Sequence, residues 1–171
     1  MNKKMTLLFI GMSLLACNFL FPQTERSTPE TTEFQDPEPT GFTIVRLRPS
    51  DGDLQTLLAE EAQKAAALGR MPVVEFDATW CPPCQAIDKA IKEENELMLN
   101  AYANTYIIRL DVDEWGWGGS HLHDFEFDGI PVFFKLDSNG NRTGEVVDGG
   151  AWGEDIPENI APVMDLFFHG E

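Results

Sequence analysis

Twelve residues near the middle of the chain constrain the fold most: Val73-Val74-Glu75-Phe76-Asp77-Ala78-Thr79-Trp80-Cys81-Pro82-Pro83-Cys84. The first half is a short apolar run with β-branched residues, which suits a buried strand. From the cysteines onward the pattern turns helical, with Ala86, Ile87, Ala90 and Ile91 at helical spacing. Cys81 is therefore expected where a strand hands over to a helix, beside backbone N–H groups that lack partners. Those groups and the helix dipole favour an anion, which lowers a thiol's pKa and makes it a nucleophile. Cys84 lies three residues on, on the same helical face, close enough to close a disulfide. Proline fits early in a helix because its missing N–H costs no bond there. A CxxC pair is also compatible with half a zinc site or a structural disulfide. A four-ligand zinc site needs two more ligands, and only His121, His123, His169 and Cys17 remain. The combination of strand, Trp80, CxxC and helix points instead to redox chemistry.

This stretch resembles the redox centre of the thioredoxin superfamily, in which a strand ends in Trp-Cys-x-x-Cys and opens a helix. The likeness is to the periplasmic branch that includes TlpA-type proteins and the C-terminal domain of DsbD. The Pro82–Pro83 pair resembles TlpA-type sites.

The rest of the chain divides into three parts: 1–22, 23–40 and 41–171. Asn2-Lys3-Lys4 is a basic start, and Met5 to Phe21 carries no charge, which is the layout of a signal peptide. Leu14-Leu15-Ala16-Cys17 resembles the lipobox of bacterial lipoproteins, in which the cysteine is lipidated. This leaves Cys81 and Cys84 as a pair with no odd thiol. An uncleaved membrane anchor or ordinary cleavage are the alternatives, because Phe19-Leu20-Phe21 prolongs the apolar run towards a spanning length. Asn18 after the cysteine resembles the outer-membrane sorting pattern. Residues 23–40 are rich in Thr, Glu and Pro, cannot bury enough apolar surface to offset ordering, and read as a flexible tether.

In 41–171 the pattern predicts a strand over Phe42–Leu47 and a helix carrying Leu54, Leu57, Leu58, Ala62, Ala65 and Leu68. After the central strand and the Cys81 helix, a second helical piece carries Leu97, Met98, Ala101 and Tyr102. Tyr106–Val112 reads as a strand, Asp113–Gly119 as a loop and His121–Phe125 as a short helix. Ile130–Leu136 and Gly144–Val147 flank Ser138-Asn139-Gly140-Asn141, a hairpin turn. Pro157–Phe168 reads as an amphipathic helix with Ile160, Val163, Met164 and Phe167 on one face. Helices alternating with strands and a final hairpin make an α/β domain, a central mixed sheet covered on both faces. That order matches the thioredoxin fold.

Within this frame Cys81 is the attacking thiol and is expected to be exposed, while Cys84 is deeper and resolves the mixed disulfide. Cys84 needs a base. Glu75 is the only ionisable residue in the apolar part of its strand, and in a doubly covered sheet its burial should raise its pKa. It occupies the position of the buried aspartate that thioredoxins keep six residues before the first cysteine. By the same resemblance Arg109 falls where thioredoxins often keep a lysine near that acid. Ile130–Pro131 matches the family's cis bond, whose backbone contacts the substrate. Trp80 packs beside the active site, and Gly149 completes the substrate groove. Asp77 departs from the family, which commonly has tryptophan there; a carboxylate so near should raise the thiol pKa and favour a reducing dithiol. Pro82 and Pro83 between the cysteines tune the same pair. Trp115–Asp124 is long and aromatic, and reads either as partner recognition or as a packed surface loop.

The formal net charge of −17 argues against nucleic acid or an anionic membrane face as partner. The sequence therefore reads as an exported, membrane-tethered thiol–disulfide oxidoreductase of the bacterial cell envelope. It would reduce protein disulfides, receive electrons from an upstream thiol reductant, and need no metal and no cofactor beyond the Cys81–Cys84 pair. A disulfide oxidase or isomerase is the rival enzyme. A binding module with a structural disulfide is the non-enzymatic alternative.

Overall fold

A computed structural model describes residues 41–117, 122 and 125–170. The segments read as leader, lipobox Cys17 and tether, residues 118–121, 123 and 124, and Glu171 lie outside the described residues.

Five strands form one sheet: β1 (Thr43–Leu47), β2 (Met71–Asp77), β3 (Thr105–Asp111), β4 (Val132–Leu136) and β5 (Arg142–Asp148). Their order is β1-β3-β2-β4-β5. β3 runs parallel to both β1 and β2, whereas β4 is antiparallel to β2 and to β5. The helices are α1 (Leu54–Ala67), α2 (Pro82–Lys92), α3 (Glu96–Tyr102), α4 (Val112–Trp115) and α5 (Pro157–His169).

Both faces of the sheet are covered, which is why β2 and β3 read as nearly unbroken apolar runs. Val74, Phe76, Ile108, Leu110 and Phe134 point to one core, closed by Leu54, Leu58 and Ala65 of α1. Val73, Ile107 and Phe133 point to the other, closed by Ile87 of α2, Met98 and Tyr102 of α3 and Ile160, Met164 and Phe168 of α5. The buried face of α5 is Ile160, Ala161, Met164 and Phe168. Val163 and Phe167, expected on that face, lie partly buried beside it.

Local signals place the helix ends. Asp53 caps α1 by accepting from the Thr56 N–H at 3.0 Å, and Asn95 caps α3 by accepting from Met98 at 3.2 Å. β3 stops one residue earlier than expected. Asp111 accepts from the Asp113 N–H at 2.9 Å and so caps the single turn of α4, where a loop was expected. Leu122 and Phe125 belong to no helix, and the other three residues of the short helix expected over His121–Phe125 lie outside the described residues.

The β4–β5 hairpin is pinned by Asp137, whose Oδ1 accepts from the N–H groups of Asn139 and Asn141 at 2.8 and 2.9 Å. At its tip Gly140 has φ +81, and a Cβ there would lie 2.6 Å from the Ala59 nitrogen of α1. Glycine is required twice over, by conformation and by closeness. Gly140→Ala is expected to cost at least about 2 kcal/mol of stability. Urea unfolding of the variant beside the parent checks this.

Candidate active site

The register brings four loops to one end of the sheet. Asp77 is level with Asp111, Phe76 with Val132, and Val132 with Asp148. At that end Cys81 is the extended N-cap residue of α2, and its Sγ accepts from the Cys84 N–H at 3.3 Å. Pro82 and Pro83 open the helix, where no donor is lost. Cys81 and Cys84 are joined in a disulfide, with their Cα atoms 5.3 Å apart. The Ile130–Pro131 peptide is cis, and the Ile130 carbonyl oxygen lies 3.6 Å from Cys81 Sγ. In the disulfide that sulfur has no proton to give. In the dithiol, the Cys81 S–H can donate to Ile130.

Sequence reasoning expects an exposed Cys81 and a deeper Cys84. The structure differs: Cys81 is 1% exposed and Cys84 3%, both packed with Phe76, Ala78 and Val132. The reason is the Ile130 segment lying over Cys81, a contact between residues 49 positions apart.

Gly149 stands immediately behind it. Its N–H donates to the Pro131 carbonyl at 2.9 Å. A Cβ at Gly149 would lie 3.1 Å from Pro131 Cδ and 3.8 Å from the Ile130 oxygen. Gly149→Ala is expected to push the Ile130–Pro131 segment against Cys81 and slow exchange with a protein disulfide by about 10-fold, a misplacement effect on the reacting geometry. Stopped-flow oxidation of the reduced variant measures it.

Beneath the start of α2 lies a row of charges on one face of the sheet, buried at Glu75, Asp77, Arg109 and Asp111 and exposed at Arg46. Arg46 of β1, Arg109 of β3 and Glu75 of β2 are neighbours in register, and Asp111 and Asp77 form the next rung. Glu75 is 1% exposed and accepts from Arg109 Nε at 2.7 Å through Oε2. Oε1 has no hydrogen-bond partner among the described residues, so Glu75 touches neither cysteine through a hydrogen bond. Burial pushes its carboxyl up to about 7; Arg109 opposes the rise, and the charge of Asp77 adds to it. Arg109 is also held by Asp88 of α2, with Nη1 2.5 Å from Oδ1.

Asp77 does not face the thiols as a bare charge. Arg46 grips it with two hydrogen bonds of 3.0 and 2.6 Å. Burial raises its pKa, and the hydrogen bond and charge of Arg46 pull the other way. Its influence on Cys81 is therefore that of an ion pair, weaker than the lone carboxylate expected from sequence. Trp80 is 52% exposed at the rim, its Nε1–H donating to Asp113 Oδ2 at 2.8 Å, and it stacks on Trp117.

Arg46, Asp88 and Asp113 were not singled out in the sequence. Two carried a signal. Arg46 interrupts the apolar face that Ile44 begins, and Asp88 follows Cys84 by four residues and so shares its side of the helix. Asp113 became legible only once α4 was seen.

A sequence model of the thioredoxin family matches residues 56–161, more than half of the chain and all of the elements from α1 to the start of α5. The chain belongs to the thioredoxin family. It is 32% identical to the chloroplastic Thioredoxin-like protein HCF164 of Oryza sativa over 108 residues, 62% of this chain and 40% of that one. It is 30% identical to Thioredoxin H4 of Arabidopsis thaliana over 102 residues, 58% of this chain and 76% of that one. With the Thiol:disulfide interchange protein TxlA homolog of Synechocystis sp. the identity is 34% over 96 residues, 53% and 51% of the two chains. The match thus spans 40% of the first relative's length and 51% of the third's. The thioredoxin-family domain described here, with its CxxC disulfide at the start of α2, is that of a thiol–disulfide oxidoreductase.

Proposed function

We propose that this protein is an exported, membrane-tethered reductant of protein disulfides in a bacterial cell envelope. The observation that carries the reading is the Cys81–Cys84 pair at the mouth of α2, with the Ile130 carbonyl against its first sulfur. In the dithiol form, the Cys81 thiolate attacks one sulfur of the substrate disulfide. A mixed disulfide forms and one substrate thiolate leaves. The Cys84 thiolate then attacks Cys81 Sγ, the Cys81–Cys84 disulfide closes, and the second substrate thiolate leaves. Two electrons pass to the substrate. The Cys84 proton passes to a base, for which Glu75 is our candidate, with Arg109 setting its charge state. An upstream dithiol reductant reverses the two steps and restores the pair.

Support for reduction comes from Cys81 itself. One N–H donor and one carbonyl oxygen face its sulfur, and the carbonyl disfavours a thiolate. A less stabilised thiolate makes a dithiol that gives up its electrons more readily. The resemblance of the Pro82–Pro83 pair to TlpA-type sites leans the same way. Support for tethering is the basic start, the uncharged Met5–Phe21 run and the Cys17 lipobox.

The test uses the full chain produced in a Gram-negative bacterium. The reading expects the protein in the envelope membrane fraction, with Cys17→Ala releasing it to a soluble fraction or leaving it unprocessed. It expects the reduced protein to cleave a peptide disulfide, and Cys81→Ser to abolish this. A cytoplasmic wild-type protein would overturn the export reading. A disulfide that resists dithiothreitol would overturn the enzymatic one in favour of a binding module.

A further inference from the structure

The end of the sheet that carries the disulfide is charged in one sense. Segments 77–85, 111–117, 125–131 and 148–155 meet there through the register of β2 with β3 and β4 and of β4 with β5. Together they hold nine Asp and Glu residues and no Lys or Arg. Asp77 and Asp111 are buried against Arg46, while Asp113, Glu126, Asp128 and Asp148 are exposed. Arg48, which follows β1 at the sheet's edge, lies 3.9 Å from Glu114 and offsets one further carboxylate.

Within this rim lies an exposed aromatic pair. Trp80 and Trp117, 52% and 46% exposed, stack with ring centroids 6.1 Å apart and planes 25° from parallel. Asp113 fixes the Trp80 ring through the indole N–H. Phe127 lies 6.2 Å from Trp117 and anchors it towards Phe76 of the core. Large exposed apolar rings beside a reactive centre mark a docking surface. Indole faces carry negative charge density and attract a cation placed over them. Charge complementarity therefore selects the occupant: an anionic partner would meet repulsion from the rim, and a cationic one gains from both rim and rings.

We propose that the Trp80–Trp117 face docks a cationic polypeptide segment, one with Lys or Arg flanking the cysteines whose disulfide is exchanged. The proposal rests on the reading of Cys81–Cys84 as a site of exchange with proteins, and it names the substrate class of that site. Trp117 is a specificity residue in this scheme. It acts on association and leaves the sulfur chemistry to the cysteines.

The test uses the full chain in its reduced form and two disulfide-bonded peptides of equal length. One has Lys on both sides of each cysteine, the other Glu. The rate constant for oxidation of the protein is measured at low and high salt. The Lys peptide is expected to react at least about 10-fold faster at low salt, as steering by a one-signed cleft allows. The gap should narrow as the Debye length falls from about 30 Å at 0.01 M to about 3 Å at 1 M. The double variant Glu126→Gln, Asp128→Asn should narrow the low-salt gap. Trp117→Ala should reduce the Lys advantage by about 2–5-fold, and should still do so at high salt, where the rim charges are screened. Equal rates for both peptides at every salt, or a preference untouched by these variants, would overturn cationic docking and leave disulfide exchange standing. Failure of both peptides to react would overturn the two together.

Discussion

Cys84→Ser is expected to leave the protein covalently joined to its substrate. Cys81 keeps its place as N-cap of α2, with the backbone N–H of residue 84 directed at its sulfur, so attack on a disulfide still proceeds. The second displacement has lost its nucleophile. In the wild type that nucleophile is held three residues away, with Cα atoms 5.3 Å apart, and such intramolecular placement is worth effective concentrations on the order of 10⁵ M or more. An external thiol in the millimolar range is a poor replacement, so turnover should fall by at least about 10³-fold. A mixed disulfide should then accumulate, visible by non-reducing electrophoresis and by mass. Cys81→Ser should lose turnover equally and accumulate no adduct. The two outcomes assign attack to Cys81 and resolution to Cys84. Adducts on both variants would mean that either sulfur can attack.

The second large effect concerns Glu75. Its carboxyl is raised from 4.5 to about 7 because burial penalises the charged form more than Arg109 repays. The folded state therefore holds a proton that the unfolded chain has released between those two values. The stability linked to that proton is fully present below about pH 4.5 and is lost as pH rises through about 7. At about 1.4 kcal/mol per pKa unit, the loss is about 3 kcal/mol. Glu75→Gln removes this titration while keeping an oxygen for the Arg109 Nε–H. The difference in stability between Glu75→Gln and wild type should thus grow by about 3 kcal/mol between pH 4.5 and 8; urea titrations at both pH values measure it. Glu75→Ala is the harsher change, because Arg109 then stays buried without its Nε acceptor, left with Asp88 and the more distant Asp77, at a cost of about 3 kcal/mol. The same variants test the role in catalysis. If Glu75 takes the Cys84 proton, the rate of mixed-disulfide resolution should rise through a pKa near 7 in wild type and lose that limb in Glu75→Gln. An identical pH profile in both would leave Glu75 a structural partner of Arg109.

The fold was legible where one stretch of sequence carried its own instructions. The handover at Cys81 is local: an apolar β run, two prolines suited to a first turn, and apolar residues at helical spacing. Asp53, Asn95 and the Asn139-Gly140 turn are local signals too. The end of β3 is hidden in the sequence because Val112 is apolar and β-branched and so looks like strand, whereas the Asp111-x-Asp113 cap ends it. What lay beyond the sequence was register and layering. The row of Arg46, Arg109 and Glu75 exists because β3 lies between β1 and β2, and only the sheet order makes neighbours of residues 63 and 34 positions apart. The same cause turned Asp77 from a lone carboxylate into half of an ion pair. Likewise the burial of Cys81 follows from a segment that returns 49 residues later, which no local pattern around the CxxC encodes.

The central claim is that Cys81–Cys84 gives electrons to protein disulfides, and its reduction potential tests this most directly. The full chain would be equilibrated against glutathione and dithiothreitol buffers and the oxidised fraction read after acid trapping. A potential close to thioredoxin's, about −270 mV, is the expected result, and it requires a steady supply of electrons from a dithiol donor. A value near that of DsbA, about −120 mV, would contradict the account and make the protein a donor of disulfides.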